Sequence, residues 1–587
     1  MQSKLKTYIN ALGWLLLILF FFIRQPESKW DKVISGDGKS YYAYLPAALI
    51  YQDLDYQFVA DYEAKYYPPD QSLFKEFRYE FEGEIVNKTF PGISLLWLPF
   101  FLIAHFLSFI FGFEPDGYTI IYQYAIGVAA IFYCWLGMQW LAKFLLSYKI
   151  KPFVIGLVLT TLLFGTNIFY YTIHDPSLTH VYNFSMISGF LYFLRKSILK
   201  DEKKDFVWLF ILLGLLIIIR PINLLVLLAI PFAVDDWTIL GNYLKQLFTS
   251  PKKLFLSFTI LGLFALYPII WWYSQSGHLI VYSYGEESFD FSNPHLLKML
   301  FSYEKGWFVY TPLVLLALLG IYSNFKTNWS MGIYRLCFFV FLAYIFSSWW
   351  IWTYGGSFGQ RVFIDYYAIV GLLMAVGIQE LNLKRKSTIV LIVVVGLGIG
   401  LNQVQTYQHR YGIVPTLGMT KSMYWSTFLK LNKTKPPTKL SKPHQITASY
   451  STGFEKNSDW ITLSRQDNSP VFEGNFAQSI HTVQPYSDGY KGKLNWQDTF
   501  AHIGAHIFTD KKSPGTKLVF DLSENGHSII YESISLDDYL VQDNWIEIGY
   551  TFHFPKGKEG DLKIYFWQPE KGKVTIDNLN IEFGFYR

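Results

Sequence analysis

FVWLFILLGLLIIIRPINLLVLLAIPFAV, residues Phe206–Val234, carries one charge, Arg220, followed at once by Pro221, and is otherwise uncharged. The run is longer than the ~20 residues that cross a bilayer core, and proline removes the backbone donor that a continuing helix needs. It reads as a membrane hairpin turning at Arg220–Pro221. Ionisable residues at membrane depth are costly and usually line a cavity or pathway, so Arg220 is hard to place as surface decoration. Bidentate contact with phosphate is the natural role of such a guanidinium. Pairing with an acidic loop residue is the structural alternative.

The rest of the chain agrees. Of 587 residues, 51% are hydrophobic and 16% charged, with a positive mean hydropathy of +0.21; a soluble domain carries roughly 25% charge. Further apolar cores lie at Leu15–Ile23, Phe153–Phe164, Leu254–Trp272 and Ile389–Leu401. Residues 1–404 therefore read as a mostly α polytopic membrane domain. No small-residue cleavage site precedes Arg24, so the first segment reads as an anchor rather than a removed signal. Cys134 and Cys337 both lie in apolar runs and form neither a disulfide framework nor a metal cage. A formal net charge of +5 gives no footing for nucleic-acid binding.

Composition changes near residue 405. Long hydrophobic runs vanish from Lys435, and Lys433–Lys439 (KTKPPTK) reads as part of a linker over 405–440. Short alternating segments follow at Lys517–Leu522, Ile529–Ser533, Trp545–Phe552, Leu562–Trp567 and Val574–Phe583, separated by Pro-Gly, Asn-Gly and Lys-Gly. That spacing predicts an antiparallel β-sandwich over 441–587.

Cytoplasmic loops are enriched in Lys and Arg. The basic clusters are Lys4/Lys6, Lys143–Lys151, Arg195–Lys204, Lys245–Lys253, Lys326–Arg335 and Lys384–Lys386. Placing all of them inside leaves loops 24–90, 174–180, 274–306 and 351–361 outside, with the sandwich on the same outer side. About eleven transmembrane helices satisfy this, provided 92–113 is re-entrant or interfacial, or paired with an unrecognised break, rather than an independent full crossing.

The outer loops then share their polar residues. Asp37, in Ser35–Gly36–Asp37–Gly38, is placed to deprotonate an acceptor; it also fits an N-cap of the aromatic helix Tyr41–Tyr51. Lys88 suits a phosphate as a point charge or snorkels to headgroups. His174–Asp175–Pro176–Ser177–Leu178–Thr179–His180 joins two apolar helices, and Asp-Pro-Ser is a helix-start signal. Its histidines match no familiar zinc spacing. Lys305 lies in Ser302–Pro312. The tryptophans of Trp349–Trp352 read as an interfacial belt, whereas Gly355–Arg361 allows close backbone approach and sets Arg361 at the head of a helix, where N–H groups favour anions. His174, His180, Tyr41, Glu286 and Tyr354 are candidate substrate-lining side chains.

This ordered set resembles the GT-C superfamily of integral-membrane glycosyltransferases, of the protein O-mannosyltransferase and lipid A aminoarabinose transferase type. The resemblance covers roughly residues 7–404. It rests on Asp37, Lys88 with Phe90–Pro91–Gly92, Asp175–Pro176, Arg220–Pro221, Lys305–Gly306 through Pro312, and Gly355–Arg361. It implies an inverting transfer of sugar from a polyprenyl-phosphate donor to a glycan, lipid or protein acceptor at the outer face of a bacterial inner membrane. By that resemblance Asp37 is the acceptor-activating base and Asp175 a second acidic catalytic residue that orients acceptor or donor, while Lys88, Arg220, Lys305 and Arg361 hold the lipid phosphate. No Asp-Asp, Asp-Glu or Asp-X-Asp pair lies beside Asp37, so no cofactor is expected, a divalent metal being the alternative. The C-terminal region is similar to a carbohydrate-binding jelly roll at Phe566–Trp567–Gln568–Pro569 and Ile576–Asp577–Asn578–Leu579.

Two other classes compete. A transporter or flippase for lipid-linked glycans predicts internal repeats and charge at mid-membrane, and the sequence shows no clear repeat. A structural anchor for the sandwich needs one helix, not many, and leaves Arg220 unexplained.

Overall fold

The computed structural model describes residues 2–24, 33–59, 77–285, 287–415, 419, 421–431 and 444–586, the last range with short breaks at 465, 468–469, 482, 511–514, 525–526, 537–539, 541, 555 and 569–572. The Lys433–Lys439 motif lies outside the described residues. Two compact units result, one of Met1–Tyr66 with Gln71–Leu431, the other containing Asn432–Arg587.

Among the described residues of the first unit, seven helices are long and apolar enough to cross a membrane: Ser3–Ile23, Gly92–Phe111, Ile120–Ser147, Pro251–Ser276, Trp329–Ser347, Arg361–Glu380 and Arg385–Arg410. The expected eleven are not matched by long helices. Much of the remaining apolar sequence forms the shorter stretches Pro152–Gly165, Pro221–Ala233 and Pro312–Thr327. Each begins on a proline, which fits a first helical position but ends whatever helix precedes it. The stretch 92–113 holds no break, and its helix is long and apolar enough to cross a membrane. Gly92–Phe111 is one unbroken helix of 20 residues that accommodates Pro99.

The hairpin at Arg220 is present. Helix Lys203–Ile219 ends at Arg220, whose backbone is extended (φ −155°, ψ 126°), and a 3-10 segment continues over Pro221–Ala233. Both legs pack on helix His180–Lys200. At one end of that helix, Arg195 donates to the Ala233 carbonyl at 3.0 Å and Lys196 pairs with Asp205 at 2.8 Å. At the other, Asn223 donates to Asn183 at 3.0 Å. The two legs therefore run in opposite directions and turn at Arg220.

The basic clusters collect at the end away from that turn. The Arg195 guanidinium lies 3.5 Å from the Tyr148 ring centre, Arg335 donates to the Val234 carbonyl at 3.4 Å, and Lys253 meets Asp201 at 2.5 Å. Residues from Lys143–Lys151, Arg195–Lys204, Lys245–Lys253 and Lys326–Arg335 thus share one end, and Arg220 marks the other.

The first part of the expected 405–440 linker belongs to this unit. Helix Arg385–Arg410 continues past 404, and a short helix, Lys421–Thr427, returns along it. Gln405 donates to the Tyr424 hydroxyl at 2.9 Å and Gln408 to the Thr427 carbonyl at 2.7 Å, so the amides on the last turns find partners in the returning chain.

Strands are numbered from a small hairpin of the first unit, β1 (Arg78–Phe81) and β2 (Glu84–Asn87). The second unit holds β3 (His444–Thr452), β4 (Gln478–His481), β5 (Tyr490–Leu494), β6 (Phe500–Thr509), β7 (Lys517–Glu524), β8 (His527–Ser535), β9 (Trp545–His553), β10 (Gly560–Trp567) and β11 (Lys573–Tyr586). One sheet has the order β5-β10-β7-β8, the other β3-β11-β6-β9 with β4 also on β11. The pairings are antiparallel. Alternation sends Leu518, Phe520, Leu522, Leu562, Ile564 and Phe566 into a shared core with Ile503, Ile507, Ile581 and Phe583. This is the all-β sandwich the periodicity predicts.

Candidate active site

Helix Asp37–Pro46 opens directly on Asp37, with Gly36 as its N-cap at φ 52° and no side-chain cap. Asp37 is therefore not the capping residue. Gly38 is required by packing: a Cβ there would meet Ser177 Oγ at 2.1 Å and Ser177 Cβ at 2.4 Å. Ser177 Oγ both accepts from the Ser35 amide and donates to the Ser35 carbonyl at 3.2 Å. Loop 174–180 and the start of the Asp37 helix are thus one construction. Arg24 ties down its other side by donating to the carbonyls of Ile173 and His174.

Gly92 brings a third element in. A Cβ at that position would lie 2.3 Å from the Ile218 backbone, so the head of helix Gly92–Phe111 sits against the residues just before Arg220.

These contacts assemble a small cleft of about 30 Å³ lined by Asp37, Tyr41, Leu178, Thr179, His180, Arg220, Tyr354 and Arg361. Arg361 Nη2 donates to Asp37 Oδ2 at 2.7 Å, while the Asp37 side chain keeps 52% exposure. Arg220 Nη1 lies 4.0 Å from Asp365 Oδ2. His180 Nδ1 is 2.8 Å from Asp365 Oδ1, which leaves Nε2 for a ligand. Asp175 does not line the cleft; its carboxylate accepts from Ser35 Oγ at 3.4 Å and feels the charges of Arg361 and Asp37.

The two aspartates are driven apart in acidity. The protein around Asp37 disfavours its charged form, but the charge and hydrogen bond of Arg361, with Arg220 adding, hold the carboxyl below its ordinary value. Burial dominates at Asp175 and, against the pull of Arg361 and with the push of Asp37, raises it to about 6. A low and a raised carboxyl side by side is a pattern of acid–base sites.

Other expected site residues lie elsewhere. Lys88 pairs with Glu287 at 2.6 Å and does not line the cleft. Lys305 is buried and donates from Nζ to the Ser357 carbonyl, so it holds the loop leading to Arg361 rather than facing a phosphate. Burial lowers its pKa to about 7. His174 is packed beneath the loop against Tyr170 and Phe169 and is also absent from the lining. Glu286 lies outside the described residues. Among the described residues, no group of three or more His, Cys, Asp or Glu side chains could hold a metal ion.

Sequence reasoning missed Asp365, Asn183 and Thr179. Asp365 had a signal, a lone carboxylate four residues beyond Arg361 in an otherwise apolar run, which membrane energetics alone marks for attention.

No family model and no curated protein matches this chain. Similarity to solved structures falls on the sandwich. The xylan-binding domain CBM22-1 of Paenibacillus barcinonensis Xyn10C is 13% identical, with 25% of this chain covering 100% of that one at a TM-score of 0.20. A family 16 carbohydrate-binding module is 12% identical over 20% of this chain and 82% of its own, with a TM-score of 0.16. TmCBM61, solved with β-1,4-galactotriose, is 12% identical over 24% of this chain and 91% of its own, with a TM-score of 0.15.

Proposed function

We propose that the first unit is an inverting membrane glycosyltransferase that moves a sugar from a polyprenyl-phosphate donor to a glycan, lipid or protein acceptor. The observation that carries this reading is the cleft in which one carboxylate, Asp37, faces two arginines, Arg220 and Arg361, at the end away from the basic clusters. By the positive-inside rule that end faces outward, which suits an extracytoplasmic reaction at a bacterial inner membrane.

The acceptor oxygen attacks the anomeric carbon of the donor sugar. The bond from that carbon to the phosphate oxygen breaks, its electron pair staying on the lipid phosphate, and the acceptor proton passes to Asp37. Charge grows on the phosphate as it leaves, so fixed guanidinium groups stabilise the transition state more than the ground state. Asp175, outside the lining but within electrostatic reach of Asp37 and Arg361, is the second carboxylate. The cleft is small, so a donor enters by displacing what now fills it, the Asp37–Arg361 pair first.

Glycan contact is assigned to the outer face of the β5-β10-β7-β8 sheet. Tyr486 and Trp567 lie parallel at 6.2 Å, and Tyr565 meets Tyr486 edge-on at 5.8 Å. Lys517 sits 4.7 Å over Trp567. Tyr531 and Tyr486 are exposed, away from the sandwich core, and broad rings with polar tips suit the faces of sugars.

The test is transfer from a panel of labelled polyprenyl-phosphate sugars in membranes containing the full chain, with Arg220→Gln and Arg361→Gln beside wild type. Transfer from at least one donor, reduced ~10²-fold or more in both variants, supports the reading. No transfer and no lipid-phosphate binding across the panel overturns it.

A further inference from the structure

Asp365 is 3% exposed, in the 3-10 turn Arg361–Tyr366, and does not line the cleft. Its two oxygens are nonetheless in use. Oδ1 faces His180 Nδ1 at 2.8 Å, and Oδ2 accepts from Asn183 Nδ2 at 3.0 Å. Asn183 in turn accepts from Asn223 Nδ2 at 3.0 Å, and Asn223 also donates to the Leu216 carbonyl at 2.8 Å. Asn183 and Asn223 are buried as well. The chain of amides therefore reaches both legs of the hairpin, Leu216 before Arg220 and Asn223 after it.

The same carboxylate lies 4.0 Å from Arg220 Nη1. At that distance it compensates charge in a low-dielectric setting without a tight hydrogen bond. Both oxygens have closer partners, and at 4.0 Å Arg220 closes no bidentate pair with them. Arg220 makes no side-chain hydrogen bond among the described residues, so its N–H groups remain available to a ligand.

We propose that Asp365 is a positioning residue for the lipid phosphate: it fixes the Arg220 hairpin through Asn183 and Asn223, balances Arg220 without consuming its donors, and turns His180 so that Nε2 serves the cleft. This rests on the reading of the cleft as a polyprenyl-phosphate site. Two arginine carriers are thereby linked, since Arg361 and Asp365 share one turn.

The test is binding of polyprenyl monophosphate to the full chain in lipid nanodiscs, as a double-mutant cycle of Asp365→Asn with Arg220→Gln. Asp365→Asn keeps the shape but sets an amide against the Asn183 donor. It is expected to weaken binding about tenfold in wild type and less than about threefold once Arg220 is gone, since residues acting through one another are non-additive. Unchanged binding, or equal losses in both backgrounds, overturns the inference. Asn223→Ala breaks the amide chain without touching Asp365 and runs through the same cycle, so the question stays decidable if Asp365→Asn does not fold. Failure of wild type to bind the lipid phosphate overturns the functional reading as well, and is distinct from wild-type binding with no coupling.

Discussion

Arg361 Nη2 and Asp37 Oδ2 are 2.7 Å apart, from residues more than three hundred positions distant in sequence. The proposed base and a proposed phosphate cation thus neutralise each other. A phosphate entering the cleft competes with Asp37 for Arg361, and as the guanidinium turns toward it the carboxylate is freed and becomes more basic. The donor thereby prepares the base. Arg361→Lys, which keeps the charge but loses the planar fork, is expected to lower kcat ~10-fold or more while acceptor KM changes little. Steady-state kinetics with varied donor and acceptor would check this.

On the proposed reading, Asp175 sets an acid limit on transfer. Its carboxyl is raised to about 6 by burial, so it is largely protonated below that pH and ionised above it. Transfer that needs the carboxylate rises with pH through about 6. Asp175→Asn removes this limb from the pH profile, and a limb unchanged in the variant would assign it to another group.

Lys305 gives a stability signature. Its pKa is lowered from 10.5 to about 7 by burial, so between these values the unfolded chain binds more protons than the folded one. Stability therefore rises with pH across that window, and the charged lysine is the destabilising form. Thermal unfolding in detergent should show a climbing midpoint from about pH 7 upward. Lys305→Met should flatten the climb and, by releasing the Ser357 carbonyl, also reduce transfer.

Gly38→Ala tests the junction between loop 174–180 and the Asp37 helix. The added methyl meets Ser177 at 2.1–2.4 Å, an overlap that costs about 1–3 kcal/mol when a packed site is forced apart. A lowered melting midpoint with a larger fractional loss of activity is expected. Pairing it with Ser177→Gly, which removes the two closest clashing atoms and leaves the Ser177 carbonyl oxygen at 2.9 Å, should restore part of both.

On the sandwich, Trp567→Ala should weaken retention of the full chain on the glycan proposed to meet its sheet face, with little change in melting. Affinity electrophoresis across a glycan panel is the measurement, and equal mobility of variant and wild type would remove this face from consideration.

Arg220–Pro221 was legible because one charge and one proline in an apolar run admit few structures, and the hairpin turns there. The strands were legible through their period of two, and the expected segments Lys517–Leu522 through Val574–Phe583 fall in β7 to β11. The helix count was not. Proline-headed pieces such as Pro221–Ala233 and Pro312–Thr327 have membrane-like composition at less than spanning length. Charge bookkeeping leaves 92–113 open between a re-entrant, an interfacial and a broken segment, and only the last is decided by the continuous helix Gly92–Phe111. Nor can composition tell a lysine that grips a carbonyl from one that grips a phosphate. Lys305 and Arg361 looked alike in sequence, but one is buried on Ser357 and the other faces Asp37. Asp365 was hidden for the converse reason, since its partners His180, Asn183 and Arg220 come from elements more than a hundred residues away.

The most direct test of Asp37 as the base is single-turnover transfer of a labelled sugar from polyprenyl phosphate in membranes, comparing wild type with Asp37→Asn at equal donor occupancy. A fall of ~10²-fold or more with donor binding retained is the predicted result. Transfer at the wild-type rate by Asp37→Asn would contradict it.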